Sequence, residues 1–318
     1  MLSLRMKSYP KMIAAGLLML GFSLSALSAA PLRVLYFTKS SGFEHAPIKH
    51  VDGKPSYSEN ILTTLAEKHD LALTFSKDGS LFSPEYLAKF DVIMFYTSGD
   101  LLSVGTDGQP AMTAAGKQAL LDAVAGGKGF VAIHSGSDTF HTGESGGGNN
   151  AIRTQRYVNY GDKSDPYIKM LGGEFIKHGK QQVAKAKVID PGFPGFATVG
   201  NVLEVQEEWY SLKDFAADDH VLLLMETAGM TGSDYERPSY PLAWARNVGK
   251  GRVWFNAMGH REDVWDNPKF QAMLIGGIEW AGGRVKADAK PNLAEVAPGA
   301  STLPKPQPPT PPAPAAAK

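Results

Sequence analysis

The amino-acid sequence predicts an α/β fold with a mostly parallel sheet covered by helices on both faces. Short runs of almost uninterrupted apolar residues recur between residues 32 and 134, and segments with helical periodicity separate them. Apolar strands of this kind are buried on both faces, which is typical of parallel sheets between helical layers. The chain has no cysteine, so a core must stabilise it in place of disulfides, and the roughly 250 residues between its two ends are enough for one large core.

The first half of the chain alternates between strands and helices. Ser56 and Glu59 have the spacing of a capping box, which predicts that a helix begins there after the first strand. A second helix is predicted from about Thr113 to Ala125, because Gly126 and Gly127 follow it as residues that end helices. The strands predicted in this half are Leu32–Phe37, Leu71–Phe75, Asp91–Tyr96 and Gly129–His134.

The second half is predicted to contain antiparallel strands and a closing helix. The last two strands are joined by the turn Gly249–Gly251, and the helix has Asn267 at its cap and Pro268 in its first turn. Between the two halves, residues 140–180 are polar and rich in glycine, which predicts a functional insertion or a mobile lid. The strands predicted in this half are Gln182–Asp190, Leu203–Leu212, Val221–Thr227, Pro241–Val248 and Gly251–Met258.

Both ends of the chain are predicted to lie outside this domain, which spans residues 31–284. Residues 1–30 have the pattern of a secretory signal peptide, with Arg5, Lys7 and Lys11 before a short apolar run and small residues up to Ala30. This pattern predicts a periplasmic or secreted protein without a membrane span after signal removal, and a retained N-terminal anchor is the alternative. Residues 285–318 are rich in alanine and proline, which predicts a disordered tail.

Histidines are concentrated where a ligand would bind. In an open parallel sheet, ligands bind outside the carboxyl ends of the strands. Of the eight histidines, His45, His134, His141 and His260 follow predicted strands, and His178 lies in the glycine-rich insertion. Imidazole transfers protons near neutral pH and, when neutral, binds zinc and other transition metals. We therefore expect His134, His141, His178 and His260 to line one pocket, with His45 at its margin.

The chemistry of these loops suggests a division of roles. The predicted catalytic residues are His134, His260 and Glu208, which would act by proton transfer. A divalent metal such as zinc, with His141 and His178 as ligands, is one possibility for the site, and a purely histidine-based acid/base site is the other. Substrate contacts are predicted from His45, Ser135, Asp100, Trp209 and Tyr210.

Several blocks of the sequence resemble the trehalose-utilisation, or ThuA-like, family. The glycine-rich segment Gly126–Ser135 resembles the family's approach to a buried strand, and the resemblance extends over residues 32–283. It implies the fold of class I glutamine amidotransferases, and therefore a flavodoxin-like sheet. Those enzymes hold a nucleophilic cysteine in the turn where this chain has His134, so the resemblance does not extend to covalent amidotransfer. The later blocks are Leu171–His178, Glu207–Tyr210, Pro241–Arg246, Gly249–Val253 and Met258–His260.

The family resemblance implies a small carbohydrate as the ligand. Its members are associated with the use of trehalose and other glycosides, particularly in oxidised, keto forms. A ketone near a glycosidic carbon acidifies the neighbouring protons, so a histidine base with a metal or cationic electrophile would drive enolisation, isomerisation or elimination. A non-catalytic carbohydrate-binding protein is the alternative, and a two-carboxylate glycosidase is disfavoured because the loops offer more histidine than carboxylate. The 32 basic and 32 acidic residues balance, which gives no indication of a nucleic-acid partner.

Overall fold

The computed structural model describes residues 30–143 and 155–306. The predicted signal peptide before Ala30, most of the glycine-rich run 143–150 and the end of the predicted tail lie outside the described residues. Within them, no helix is both long and apolar enough to cross a membrane.

The strands are β1 (Leu32–Phe37), β2 (Leu71–Ser76), β3 (Val92–Phe95), β4 (Gly129–Ile133), β5 (Glu174–His178), β6 (Gln182–Val188), β7 (Val202–Glu207), β8 (Tyr210–Lys213), β9 (His220–Glu226), β10 (Tyr240–Val248) and β11 (Gly251–Asn256). The α-helices are α1 (Tyr57–His69), α2 (Pro84–Leu87), α3 (Ala114–Ala125), α4 (Pro166–Leu171), α5 (Glu262–Asp266), α6 (Pro268–Ala281) and α7 (Leu293–Val296).

A nine-stranded sheet in the order β2-β1-β3-β4-β11-β10-β9-β6-β7 forms the centre of the protein. Its first five strands are parallel to one another, in the order typical of flavodoxin-like folds. The remaining four pair in antiparallel fashion, beginning with the β10–β11 hairpin. The predicted α/β fold, with antiparallel strands in the C-terminal half, is therefore confirmed.

Local sequence signals account for the principal helices. Ser56 and Glu59 form both arms of the predicted capping box, with the Ser56 amide donating to Glu59 Oε2 at 2.7 Å. Thr113 caps α3, and its side chain accepts from the Gly116 amide. Asn267 caps α6, which has Pro268 in its first turn as expected. The predicted helix positions are confirmed because capping is decided by residues only three positions apart.

One predicted strand is divided in two, and Glu208 lies at the division. Residues 203–212 were expected to form a single strand, but β7 ends at Glu207 and β8 begins at Tyr210. Strand β8 leaves the large sheet and pairs with β5 in a separate two-stranded sheet. Strand β5 and helix α4 are ordered elements within the region predicted to be an insertion or a lid. Glu208 consequently lies in a bend between two sheets.

The prediction of a disordered tail from residue 285 is wrong for residues 285–306. Ala289, Ala297 and Ala300 are buried against the domain. The Asn292 side chain pairs with the backbone of Val221 on β9, accepting from its amide at 2.7 Å and donating to its carbonyl at 3.2 Å. Arg237 donates to the Ala300 carbonyl at 2.7 Å. These side-chain contacts to backbone atoms give a proline-rich segment fixed partners that its composition does not reveal.

Candidate active site

Three histidines and one glutamate converge at the carboxyl edge of the parallel strands. His45 lies in the loop after β1, His134 directly follows β4, His260 lies in the loop after β11, and Glu208 directly follows β7. One potential ligand atom from each of the four lies within 4.8 Å of those of the others. The structure thus brings together the three predicted catalytic residues, and it adds His45. We call these four residues the histidine–glutamate cluster.

His134 is held in a fixed orientation that leaves one ring nitrogen free. Its φ of 46° is unusual for a residue other than glycine, and it marks a sharp turn at the end of β4. Nδ1 lies 2.8 Å from the Ala257 carbonyl, which can only accept, so Nδ1 carries the hydrogen. Nε2 is buried, lies 3.7 Å from Glu208 Oε2 and has no hydrogen-bond partner among the described residues. Burial lowers the pKa of His134 more than Glu208 raises it, so Nε2 keeps its lone pair.

Glu208 joins the cluster to a fifth residue, His178. One of its oxygens, Oε2, lies 3.0 Å from His260 Nδ1, and the other, Oε1, lies 3.3 Å from His178 Nδ1. Burial would raise the pKa of Glu208, but the adjacent imidazoles of His134 and His260 outweigh burial and hold the pKa well below its usual value. Glu208 is therefore a carboxylate shared between the buried cluster and the surface.

Glu207 positions two members of the cluster without belonging to it. Its carboxylate accepts from the backbone amides of Glu208 at 2.6 Å, Gly259 at 2.8 Å and His260 at 3.2 Å. Burial raises the pKa of Glu207 to about 7, although these three hydrogen bonds oppose that rise. Its carboxylate fixes the bend after β7 to the loop after β11. The sequence identifies Glu207 only as a nearby acid, because this role depends on backbone atoms about fifty residues away.

His45 lies inside the cluster and not at its margin as predicted. Its ring centroid is 4.9 Å from that of His134 and 5.2 Å from that of His260. Nδ1 contacts Ser135 Oγ at 3.4 Å, and Nε2 contacts the Tyr210 hydroxyl at 3.3 Å. Burial, followed by the charges of the neighbouring imidazoles, lowers the pKa of His45 well below its usual value. His45 is thus a neutral imidazole, with both nitrogens near hydroxyl groups.

His178 is the most accessible imidazole at the site. Its side chain is 42% exposed, whereas those of His134 and His260 are 0% and 18% exposed. Nδ1 faces two acceptors, the Gly179 carbonyl at 3.0 Å and Glu208 Oε1 at 3.3 Å, so Nδ1 carries the hydrogen. Nε2 of the neutral ring then has a free lone pair. A carboxylate that orients a histidine through one nitrogen and leaves the other to act as a base is a common catalytic arrangement.

His141 does not join the cluster, contrary to the sequence prediction. Its two nitrogens are taken up by carboxylates, with Nδ1 2.9 Å from Glu174 Oε1 and Nε2 2.5 Å from Asp138 Oδ1. Burial would lower the pKa of His141, but Asp138 and Glu174 raise it to about 9. Because both ring nitrogens are engaged by carboxylates outside the cluster, the structure gives His141 no free nitrogen for a metal there, and its role as a ligand stays a prediction. His178, the other predicted ligand, lies outside the group of four.

Two of the predicted substrate-binding residues are occupied by structural contacts. Trp209 is fully buried, and its indole nitrogen donates to the Gln182 carbonyl at 2.8 Å, so it cannot present a face to a sugar. Asp100 accepts from the Leu102 amide at 3.0 Å within its own loop. The predicted contacts Ser135 and Tyr210 do lie at the cluster, where both touch His45.

Phe43 is an exposed aromatic residue at the site that the sequence did not single out. Its side chain belongs to a residue that is 62% exposed, and its ring centroid lies 4.9 Å from that of His45 at a steep angle. Aromatic faces of this kind pack against the apolar faces of small ligands. A single phenylalanine in a polar loop carries no periodic signal, so only its position beside His45 identifies it.

Fold and site together define an α/β protein of flavodoxin-like topology with a histidine–glutamate cluster at the ends of its strands. The family model described as trehalose utilisation, ThuA, matches residues 33–281, and the chain belongs to this family. That description indicates a role in carbohydrate metabolism.

Two solved structures of ThuA-like proteins have a similar fold. The protein from Bacteroides uniformis gives a TM-score of 0.56 at 16% identity, covering 80% of this chain and 93% of that one. The protein from Parabacteroides merdae gives 0.55 at 16% identity, covering 87% and 98%. A search of curated proteins found no match. At this level of identity, the two structures support the fold and say nothing about the reaction.

Proposed function

We propose that the protein is an enzyme that removes a proton next to the carbonyl group of a keto-glycoside. The observation that carries this proposal is the convergence of three imidazoles and an ionised carboxylate at the edge of the sheet where ligands bind. The family supplies the class of substrate, a carbohydrate. Histidines that differ in burial and charge supply both parts of acid–base catalysis, which contributes about 10²–10⁴-fold to a rate.

His178 is the general base in this proposal. It is the accessible imidazole, its Nδ1 donates to the Gly179 carbonyl at 3.0 Å with Glu208 Oε1 3.3 Å away, and its Nε2 carries the lone pair. The buried cluster lies on the other side of the Glu208 carboxylate, where positive charge is stabilised by Glu208 Oε2. A ketone bound beside the Glu208 carboxylate would have its oxygen on the side of the cluster and its acidic C–H bond on the side of His178.

The reaction balances without another reactant. His178 Nε2 takes the proton from the carbon between the ketone and the anomeric carbon, and the C–H electron pair forms the enolate. In elimination, this pair forms a carbon–carbon double bond and expels the glycosidic oxygen, which then takes the proton from His178. In isomerisation, the hydroxyl group on the deprotonated carbon gives its proton to the former carbonyl oxygen, which forms an enediolate. His178 then returns its proton to the former carbonyl carbon, so that the carbonyl group and the hydroxyl group have exchanged positions.

Keto-glycoside turnover by the His178→Ala variant tests this proposal. The probes are 3-keto-trehalose and 4-nitrophenyl 3-keto-glucoside, with the uncatalysed rate subtracted. In D₂O we expect the wild-type protein to incorporate deuterium next to the carbonyl, and His178→Ala to lose activity by about 10²-fold because the base is absent.

A matched control is His69→Ala, since His69 pairs with Glu279 at 3.5 Å and does not touch the cluster. This variant should exchange deuterium at the wild-type rate. Calorimetric binding of the keto-sugar with neither exchange nor product would contradict the proposal, and it would favour the carbohydrate-binding protein instead.

We also propose that the protein is exported. The support is the N-terminal pattern of Arg5, Lys7 and Lys11 before an apolar run and a small-residue stretch that ends at Ala30. Mass spectrometry of the protein from fractionated host cells should give a periplasmic or secreted chain that begins near residue 31. A cytoplasmic chain that retains residue 1 would contradict export.

A further inference from the structure

A free imidazole lone pair faces a carboxylate in the histidine–glutamate cluster, with no hydrogen between them. His134 Nε2 has a lone pair because Nδ1 carries the ring hydrogen. It lies 3.7 Å from Glu208 Oε2, and His260 Nδ1 lies 3.0 Å from the same oxygen. His134 Nε2 is buried and has no hydrogen-bond partner among the described residues. Burying an unpaired acceptor beside a carboxylate is costly unless a cation lies between them. A metal ion would displace any hydrogen that His260 Nδ1 donates to Glu208, because metal ligands bind in their deprotonated form.

We propose that a divalent transition-metal ion, zinc by preference, binds between His134 Nε2, His260 Nδ1 and Glu208 Oε2, with His45 on its fourth side. Two imidazoles and one glutamate are a ligand set found in catalytic zinc sites that keep one position open. The candidate ligand atoms of the four residues all lie within 4.8 Å of one another. Ligands about 2.1 Å from one ion lie roughly 3.4 Å apart in tetrahedral geometry. The separations of Glu208 Oε2 from His260 Nδ1 and from His134 Nε2, 3.0 Å and 3.7 Å, are close to this value, and side-chain rotations would bring in the remaining atom.

The surroundings of the three ligands match those of metal sites. Histidines that bind metals usually donate their second N–H to a carbonyl or a carboxylate, which fixes the ring. His134 does this through its 2.8 Å hydrogen bond to Ala257. Glu208 receives the corresponding support from His178 at Oε1, and Glu207 fixes the backbone amides of Glu208 and His260.

The two neighbouring groups, around His141 and around Glu207, have no ligand atom that is free to bind a metal. His141 has a carboxylate at each nitrogen, and the Glu207 carboxylate is taken up by three backbone amides. Neither residue offers a free lone pair in the direction of the cluster.

The metal ion would be the positive charge that polarises the ketone, and this part of its role rests on the proposed function. Its binding does not depend on any substrate.

Metal binding by the full chain is measured without substrate. The protein is stripped with a chelator, dialysed and titrated with Zn²⁺, and bound metal is quantified by elemental analysis. Titration with Co²⁺ gives an independent readout, because its absorption spectrum reports four-coordinate geometry. We expect one equivalent of metal for each chain. His260→Ala and Glu208→Gln should each weaken binding by more than the roughly 10–100-fold that changes in supporting residues cost.

Two variants serve as controls for the position of the ion. His69→Ala should bind one equivalent with wild-type affinity. His178→Ala should also keep one equivalent, because His178 supports Glu208 and is not a ligand. Absence of stoichiometric binding in the wild-type protein, or binding that survives unchanged in both His260→Ala and Glu208→Gln, would overturn the metal site.

The two proposals fail in different ways. Keto-glycoside turnover that continues in chelated, metal-free protein would overturn the metal's role and leave the proposed function standing. A protein that binds one cobalt ion with the four-coordinate spectrum but turns over no keto-glycoside would contradict the proposed function and leave the metal site standing.

Discussion

The His134→Ala variant is expected to lose keto-glycoside turnover by about 10³-fold or more while remaining folded. Its imidazole is fully buried, and Nε2 is a free lone pair directed at Glu208, so the variant removes a reacting group or a metal ligand from the centre of the cluster. The stability cost comes from the cavity left by the buried ring and from one unpaired carbonyl at Ala257, together about 3–5 kcal/mol. Steady-state kinetics and thermal unfolding measure the two effects separately.

Ser137→Ala is the matched control for the turn that holds His134. The Ser137 hydroxyl donates to the His134 carbonyl at 3.0 Å and does not face the cluster. This variant should lower the free energy of unfolding by about 1 kcal/mol and keep most of the turnover. If His134→Ala instead behaved like Ser137→Ala, with a lower melting temperature and nearly full turnover, His134 would be a structural residue of the turn.

The stability of the protein is expected to fall between pH 6.5 and pH 9 because of His141. Asp138 and Glu174 raise the pKa of His141 to about 9 against the effect of burial, whereas the unfolded chain has the usual value near 6.5. A group with a raised folded pKa stabilises the protein fully below its unfolded pKa, and this contribution is lost as pH rises through the folded pKa. The loss amounts to about 3 kcal/mol over this interval.

The pKa values of Asp138 and Glu174, the partners of His141, determine the lowest pH at which the ion-paired group still stabilises the protein. Burial would raise the pKa of Asp138 and of Glu174, but His141 outweighs burial and lowers both. The ion-paired group is therefore most stable above the usual pKa of its carboxylates, near 4, and below about 6.5.

Chemical denaturation at a series of pH values measures the predicted loss, and His141→Gln should show a weaker dependence because its side chain does not titrate. This variant removes the cation that lies between the two carboxylates and leaves only Arg156, 3.5 Å from Asp138, and Lys213, 3.5 Å from Glu174. It would therefore be destabilised. NMR titration of the His141 ring in the wild-type protein gives an independent measurement, with an expected midpoint near pH 9. A midpoint near 6.5 would contradict the prediction.

The sequence by itself determined the strands and helices, because these depend on residues that are close together in the chain. The apolar runs at β1, β3 and β4 and the capping residues at Ser56, Thr113 and Asn267 are properties of neighbouring residues, and the helices and strands begin close to where they were predicted. The placement of histidines after strands also predicted that His134 and His260 come together, because parallel strands bring their carboxyl ends to one edge.

Only the tertiary structure decided which side chains touch, because those contacts join residues far apart in the chain. His134 Nδ1 bonds to a carbonyl 123 residues away, and Ser135 contacts His45 across 90 residues. The bend that brings Glu208 to His260 depends on Glu207 accepting backbone amides from the loop after β11. His141 and His45 both follow strands in the sequence, yet the packing of β5 places the Glu174 carboxylate against His141 and leaves His45 among imidazoles. The sequence pattern therefore predicted the edge of the sheet where the histidine–glutamate cluster lies, and long-range hydrogen bonding determined which imidazole nitrogens remain free there.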